Sequence, residues 1–408
     1  MEFSGVIEYN SIFILNFFYG VTLSVIHLFV SNLFIRQKVV RYIVSTYIVL
    51  FFFPMFILDE WVVDFLFLEV FIYVELFFWG TLLFYNFLFY VFKVNIYKKE
   101  LAVRTLKITG VNPTFKKNSI INFLFYIFSA GFVFYFLENL GFSGVYQYIY
   151  LQEVHPRFAW YESPTSAQFL FAIYGRILAP MAIILQKNNL SFIVVVLLSV
   201  LVLMNSVERQ TMIIIIFSLL VRLFFIELNF KQKVVNLAMI VFLTMILIYI
   251  FIMQGNIESH ISSQTFFYST SVIFNRIIVD PLYMLHHIIT NYSDIPYTYA
   301  TTSRSIGYIF GVYTSGFSAI GILADGYLSL GVFGVLLTSF WYSMILAFCS
   351  LYLNKMHCVP NIYKTIAIML MSIMAISFFY SNIFSAIPLA ILLIFAFYSN
   401  FIIRRFKC

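Results

Sequence analysis

Charge is scarce in this chain: only 10% of its 408 residues are Asp, Glu, Lys or Arg, while 62% are hydrophobic and the mean hydropathy is +0.97. A soluble globular domain needs about twice that share of charge to cover its surface, so a soluble protein is excluded. Cysteine is also rare. The three thiols, Cys349, Cys358 and Cys408, all fall at or near the lysine-rich side described below, so no exported disulfide or metal framework is expected. Missing too are Asp-x-Asp, His-x-x-x-His and clustered thiolates, and adjacent His286 and His287 point apart on a helix. Neither a metal nor another cofactor is therefore indicated. No phosphate-cradling glycine loop ends in Lys-Ser/Thr, which excludes a nucleotide-driven pump. The first span follows Met1-Glu2-Phe3-Ser4 without a basic stretch, so a cleaved signal peptide is not expected.

What remains is a series of apolar runs of the length that a helix needs to cross a bilayer. A membrane barrel would show shorter segments of alternating polarity. The fold class is thus all-α: a polytopic integral membrane protein, treated as one domain over residues 1–408. Candidate spans cover 12–34, 42–58, 65–92, 119–140, 166–185, 190–206, 211–227, 234–254, 325–353, 363–380 and 385–403. Eleven spans with the N-terminus periplasmic and the C-terminus cytoplasmic place every lysine inside, as the orientation rule asks. Eighteen basic residues obey that rule, from Arg36, Lys38 and Arg41 to Arg404, Arg405 and Lys407. The rule accounts for most of the net charge of +7, so the charge is not a nucleic-acid signal.

Six basic residues lie outside those loops, and all are arginine: Arg157, Arg176, Arg209, Arg222, Arg276 and Arg304. Topological noise would supply lysine as readily. A planar, permanently charged guanidinium suits bidentate binding of phosphate. Arg157, Arg209, Arg276 and Arg304 come from three outer connections, and their convergence on an anionic ligand competes with contact to lipid headgroups. Arg176 lies about ten residues inside its span, where a cation needs a partner or a watery cavity. Glu75 lies at similar depth in the third span, so a buried Glu75–Arg176 pair stands beside a ligand role. Arg222, near the inner end of its helix, is expected to snorkel.

The longest outer connection, residues 255–324, is a large periplasmic loop expected to contain helical segments, 265–292 among them. Its length beside short neighbours marks a working element. Arg276, Asp280, Tyr283 and His287 share a face if one helix continues through Pro281; with Asp280 as N-cap, only Tyr283 and His287 do. An ordinary amphipathic interfacial helix is the competing interpretation. General-base candidates are Asp280, His287, Asp325 and Glu208. After the loop comes Asp325-Gly-Tyr-Leu-Ser-Leu-Gly331-Val-Phe-Gly334, whose paired glycines permit close helix approach.

That stretch, the arginine-bearing outer loop before it and the one at 141–165 resemble the O-antigen polymerase (oligosaccharide repeat-unit polymerase, Wzy) family. The similarity is one of layout over nearly the whole chain. An Arg-x10-Gly pattern known from some members has no copy here, since eleven residues separate Arg304 from Gly316. The resemblance implies metal-independent glycosyl transfer at the periplasmic face of a bacterial inner membrane. The donor would be a growing glycan on undecaprenyl diphosphate, and the acceptor a lipid-linked repeat unit. Arg157, Arg176, Arg209, Arg276 and Arg304 would then stabilise the diphosphate, and Asp280, His287 or Asp325 would take the acceptor's proton. Tyr297, Tyr299, Tyr308 and Tyr313 could stack on sugars, with Tyr299 and Tyr308 the leading pair; generic interface aromatics are the alternative. Membrane lipid and a chain-length regulator are the implied partners. A lipid-linked oligosaccharide flippase and an O-antigen ligase are the competing functions. The flippase should show an even span count, related halves and short loops.

Overall fold

Apolar runs this long can satisfy their backbone in a membrane only as helices, and helices are what form. The computed structural model describes residues 3–35, 37–55, 65–100, 118–139, 164–204, 209–255, 285, 289, 321–379 and 386–406. Among these residues there is no strand. The helices are α1 (Phe3–Phe34), α2 (Lys38–Met55), α3 (Phe65–Glu100), α4 (Asn118–Asn139), α5 (Thr165–Leu185), α6 (Asn189–Met204), α7 (Arg209–Phe225), α8 (Phe230–Gly255), α9 (Gly321–Lys355), α10 (Asn361–Phe379) and α11 (Ala386–Phe406). Each expected span overlaps one of these helices over its described residues. Seven of the described helices are long and apolar enough to cross a membrane: α3, α4, α5, α8, α9, α10 and α11. Apolar stretches in α1, α6 and α7 are shorter. The chain is an all-α, multi-pass membrane protein. Of the loop 255–324, Gly255 ends α8 and residues 321–324 open α9; between them only Leu285 and Ile289 are described, both helical and buried.

The chain divides into two compact units. The first takes residues 1–106, 272–354 and 375–388; the second takes 107–271, 355–374 and 389–408. In the first, small and hydroxyl residues bring α3 and α9 together. Ser343 Oγ donates to the Thr81 carbonyl at 3.0 Å, Tyr85 Oη donates to Ser350 Oγ at 3.2 Å, and Gly80 faces Ser339 with no room for a larger residue unless that hydroxyl shifts. Close approach through small faces is how helices associate where lipid tails remove the hydrophobic drive.

In the second unit the core is aromatic and β-branched. Phe125, Phe132, Phe136, Phe171, Tyr174 and Phe192 pack with the valines of α6. The Phe132 and Phe171 rings meet edge to face at 5.2 Å, and the buried Tyr174 hydroxyl is satisfied by Ser129 Oγ at 2.8 Å.

Several helix ends are closed by side chains. Asn229 and Gln232 exchange backbone-to-side-chain bonds at the start of α8, a reciprocal capping box. Asn188 accepts from the Leu190 amide at the start of α6. Carbonyls left over at helix C-termini are taken by donors from elsewhere: Arg41 reaches Ile35, Asn361 reaches Phe225, and Gln232 reaches Lys187. Cys349 is a buried free thiol, whereas Cys358 takes part in a disulfide, which the distribution of cysteines did not lead us to expect.

Candidate functional site

Arg176 is carried by a local irregularity. Residues Tyr174–Leu178 form a single π turn inside α5, flanked by α-helix on both sides. A π turn inserts one residue into the helical register and is frequent at functional positions. Here Gly175 lies against Leu203 and Thr211, so closely that a Cβ would collide with both. The small residue lets α5 approach α6 and α7 where the register changes. Arg176, the next residue, is partly buried. The carboxylate expected to pair with it is engaged elsewhere: Glu75 Oε2 meets His27 Nε2 at 3.0 Å and accepts from Trp79 Nε1 at 2.9 Å. Sequence separation hid this, because His27 and Glu75 are on different helices of the first unit and His27 alone reads as an ordinary polar residue.

Arg222 does not snorkel. It is 1% exposed, among the largest fully buried side chains. Its Nη2 donates to the Gln186 carbonyl at 2.9 Å and its Nη1 to Asn236 Oδ1 at 3.3 Å, while the guanidinium lies 4.0 Å from the centre of the Phe192 ring. Gln186 in turn donates to Asn122 Oδ1, and Asn236 donates to the Leu219 carbonyl. The arginine thus closes the C-terminus of α5 and ties four further helices of its unit at that level. Its position three residues from the end of α7 suggested an escape to the surface; the carbonyl of Gln186 holds it inside.

Asp325 lies in the second turn of α9 and is 2% exposed, so it is not at an open mouth. Ser329 Oγ donates to its backbone carbonyl at 2.7 Å, and the next residue but one, Tyr327, packs its ring on Tyr73 at 4.9 Å. Just beyond, α9 breaks. Leu330 (φ −151°, ψ 20°) and Gly331 (φ 61°, ψ −140°) leave the helical region, and Gly331 takes a positive φ that side-chain-bearing residues rarely adopt. The two halves close on each other: Gly326 abuts Thr338, and a Cβ on Gly334 would strike the Gly326 carbonyl. These glycines pack one half of their own helix against the other.

No family model, curated protein or solved structure matches this chain. The site must therefore be judged on its own residues. Arg209 opens α7. Arg157, Arg276, Arg304, Asp280, His287, Glu208, Tyr297, Tyr299, Tyr308 and Tyr313 lie outside the described residues. An open cleft of about 420 Å³ beside Phe397, Asn400, Phe401, Arg404 and Arg405 lies near the C-terminal end of α11 and uses none of the expected site residues.

Proposed function

We propose that this protein is a lipid-linked oligosaccharide polymerase of the O-antigen type, acting at the periplasmic face of a bacterial inner membrane. The observation that carries this reading is the division of cations: threaded through eleven spans, every lysine of the sequence falls on one side, and the basic residues left over are all arginine. In the proposed reaction an acceptor sugar hydroxyl attacks the anomeric carbon of the donor glycan. The bond to undecaprenyl diphosphate breaks, and the hydroxyl proton passes to a carboxylate or imidazole, with Asp280, His287 and Asp325 the candidates. The lipid diphosphate leaves with the charge that Arg157, Arg176, Arg209, Arg276 and Arg304 would balance. Arg176 on a π turn within an apolar helix supports a placed guanidinium, since an intramembrane cation without a task is costly, about 2.5–3.5 kcal/mol on insertion scales. Eleven spans and an inward C-terminus belong to the same proposal, as do a chain-length regulator as partner and Tyr299 and Tyr308 as sugar contacts.

One observation favours a second reading, transport of the lipid-linked unit. A helix interrupted within an apolar segment, as α9 is at Leu330–Gly331, is the way many transporters build a binding site. Deletion of the gene separates the possibilities. A missing polymerase leaves lipid A-core capped by a single repeat unit. A missing ligase leaves long glycan on its carrier, and a missing flippase leaves neither product. Long-chain ladders that persist undiminished in the deletion strain contradict the polymerase.

A further inference from the structure

His27 and Glu75 lie well inside α1 and α3, and their hydrogen bonds fix how many protons they hold. His27 Nδ1 faces the Leu23 carbonyl at 2.7 Å. A carbonyl only accepts, so Nδ1 carries its hydrogen. The opposite nitrogen, Nε2, meets Glu75 Oε2 at 3.0 Å. With Nδ1 protonated, that contact needs one more proton, on the imidazole or on the carboxyl. An imidazolium with a carboxylate and a neutral imidazole with a carboxylic acid are the two arrangements, and both leave the pair with no net charge. Trp79 Nε1 donates to the same oxygen at 2.9 Å. Phe78 and Trp79 flank the imidazole at 4.7 and 6.2 Å. The His27 side chain is 4% exposed and that of Glu75 20%, so the carboxyl is the less enclosed member.

Among the described residues, the titratable group that faces the pair from a packed helix is Tyr47 of α2, which feels both Glu75 and Tyr342 of α9 electrostatically. The charged residues of those helices are farther along. Lys38 and Arg41 precede Tyr47 by nine and six residues, Glu69 precedes Glu75 by six, Lys93 follows it by eighteen, and Asp325 precedes Tyr342 by seventeen. Ser24, one turn before His27, keeps a buried hydroxyl that has no hydrogen-bond partner among the described residues. Fixed charge inside a membrane segment is held by a partner or serves an ion pathway. This pair has a partner, a partly open carboxyl and a reporter indole on the shared oxygen.

We propose that His27 and Glu75 form an intramembrane proton-binding site, which holds one proton between them and exchanges a proton with the medium while α1 and α3 stay packed. The ligand is the proton itself, and the inference does not rest on the polymerase reading. A pair sealed from the medium by its packing would keep one protonation state for as long as α1 and α3 stay packed.

Trp79 reads the difference. In detergent-solubilised full-length protein with Trp61, Trp160 and Trp341 changed to Phe, Trp79 emission is followed from about pH 4 to about pH 9, below ordinary tyrosine ionisation. The expected result is a single one-proton transition that is lost in His27→Gln and in Glu75→Gln. Glu75→Asp, which withdraws the carboxyl while keeping its charge, shifts the midpoint and serves if either glutamine variant fails to fold. A flat titration of the folded parent overturns the proposal, as does a transition that survives unshifted in the substituted proteins.

Discussion

A guanidinium buried beside a phenyl ring and a helix-end carbonyl is held by its shape as much as by its charge. Arg222 uses separate nitrogens for Gln186 and Asn236, and an ammonium on a thinner stem cannot reproduce that fork. We therefore expect Arg222→Lys to lower the stability of the detergent-solubilised protein by about 1.5–3 kcal/mol, the range for a lost hydrogen bond to a charged group. Chemical unfolding of the second unit checks this; no change would mean that the arginine reaches the surface. The sequence showed a cation near a helix end, and that much was legible. Its partners come from residues 36 positions before and 14 positions after it in the chain, which no local pattern reveals. The same limit applies to His27, whose proton partner is 48 residues away.

At the scale of elements, the positions of the apolar helices were legible because a run of that length has no other stable form in lipid. Interruptions inside them were not. Gly331-Val-Phe-Gly334 looks the same in sequence whether the glycines face a neighbouring helix or allow a break, and only the positive φ of Gly331 decides it. Gly331→Ala should cost about 1–3 kcal/mol, the usual range for a backbone forced into a sparsely populated region. Gly334→Ala should be similarly harmful, about 1–3 kcal/mol by overpacking, because the obstacle is the backbone of Gly326. Gly131, with open space around it, is the internal control. Gly131→Ala should be neutral or gain up to about 1 kcal/mol from helix propensity. Thermal unfolding of the three variants tests the break: equal behaviour would mean that α9 is continuous. The π turn at Arg176 was likewise invisible, since one inserted residue leaves no compositional mark.

For the whole molecule, the sequence was most informative where charge is sorted by a physical rule. On the expected threading, eighteen lysines and arginines follow the orientation rule. The arginines outside that pattern carry the functional reading. Of these, Arg176 and Arg222 have described side chains, and they divide: one lies on a distorted turn, the other is a structural closure. At Arg276 and Arg304 we expect lysine substitution to impair chain growth in cells by tenfold or more while expression stays normal, since about 1.4 kcal/mol of lost stabilisation is already a factor of ten. Glycan ladders from cells carrying each variant give the measure, and wild-type ladders in both would remove the diphosphate clamp.

The most direct measurement uses the purified protein in liposomes with undecaprenyl-diphosphate-linked repeat units and a chelator. The account expects glycan longer than one unit on the lipid carrier, with one undecaprenyl diphosphate released for each unit added and no divalent metal required. Movement of the lipid-linked unit across the bilayer without elongation would contradict it and establish transport in its place.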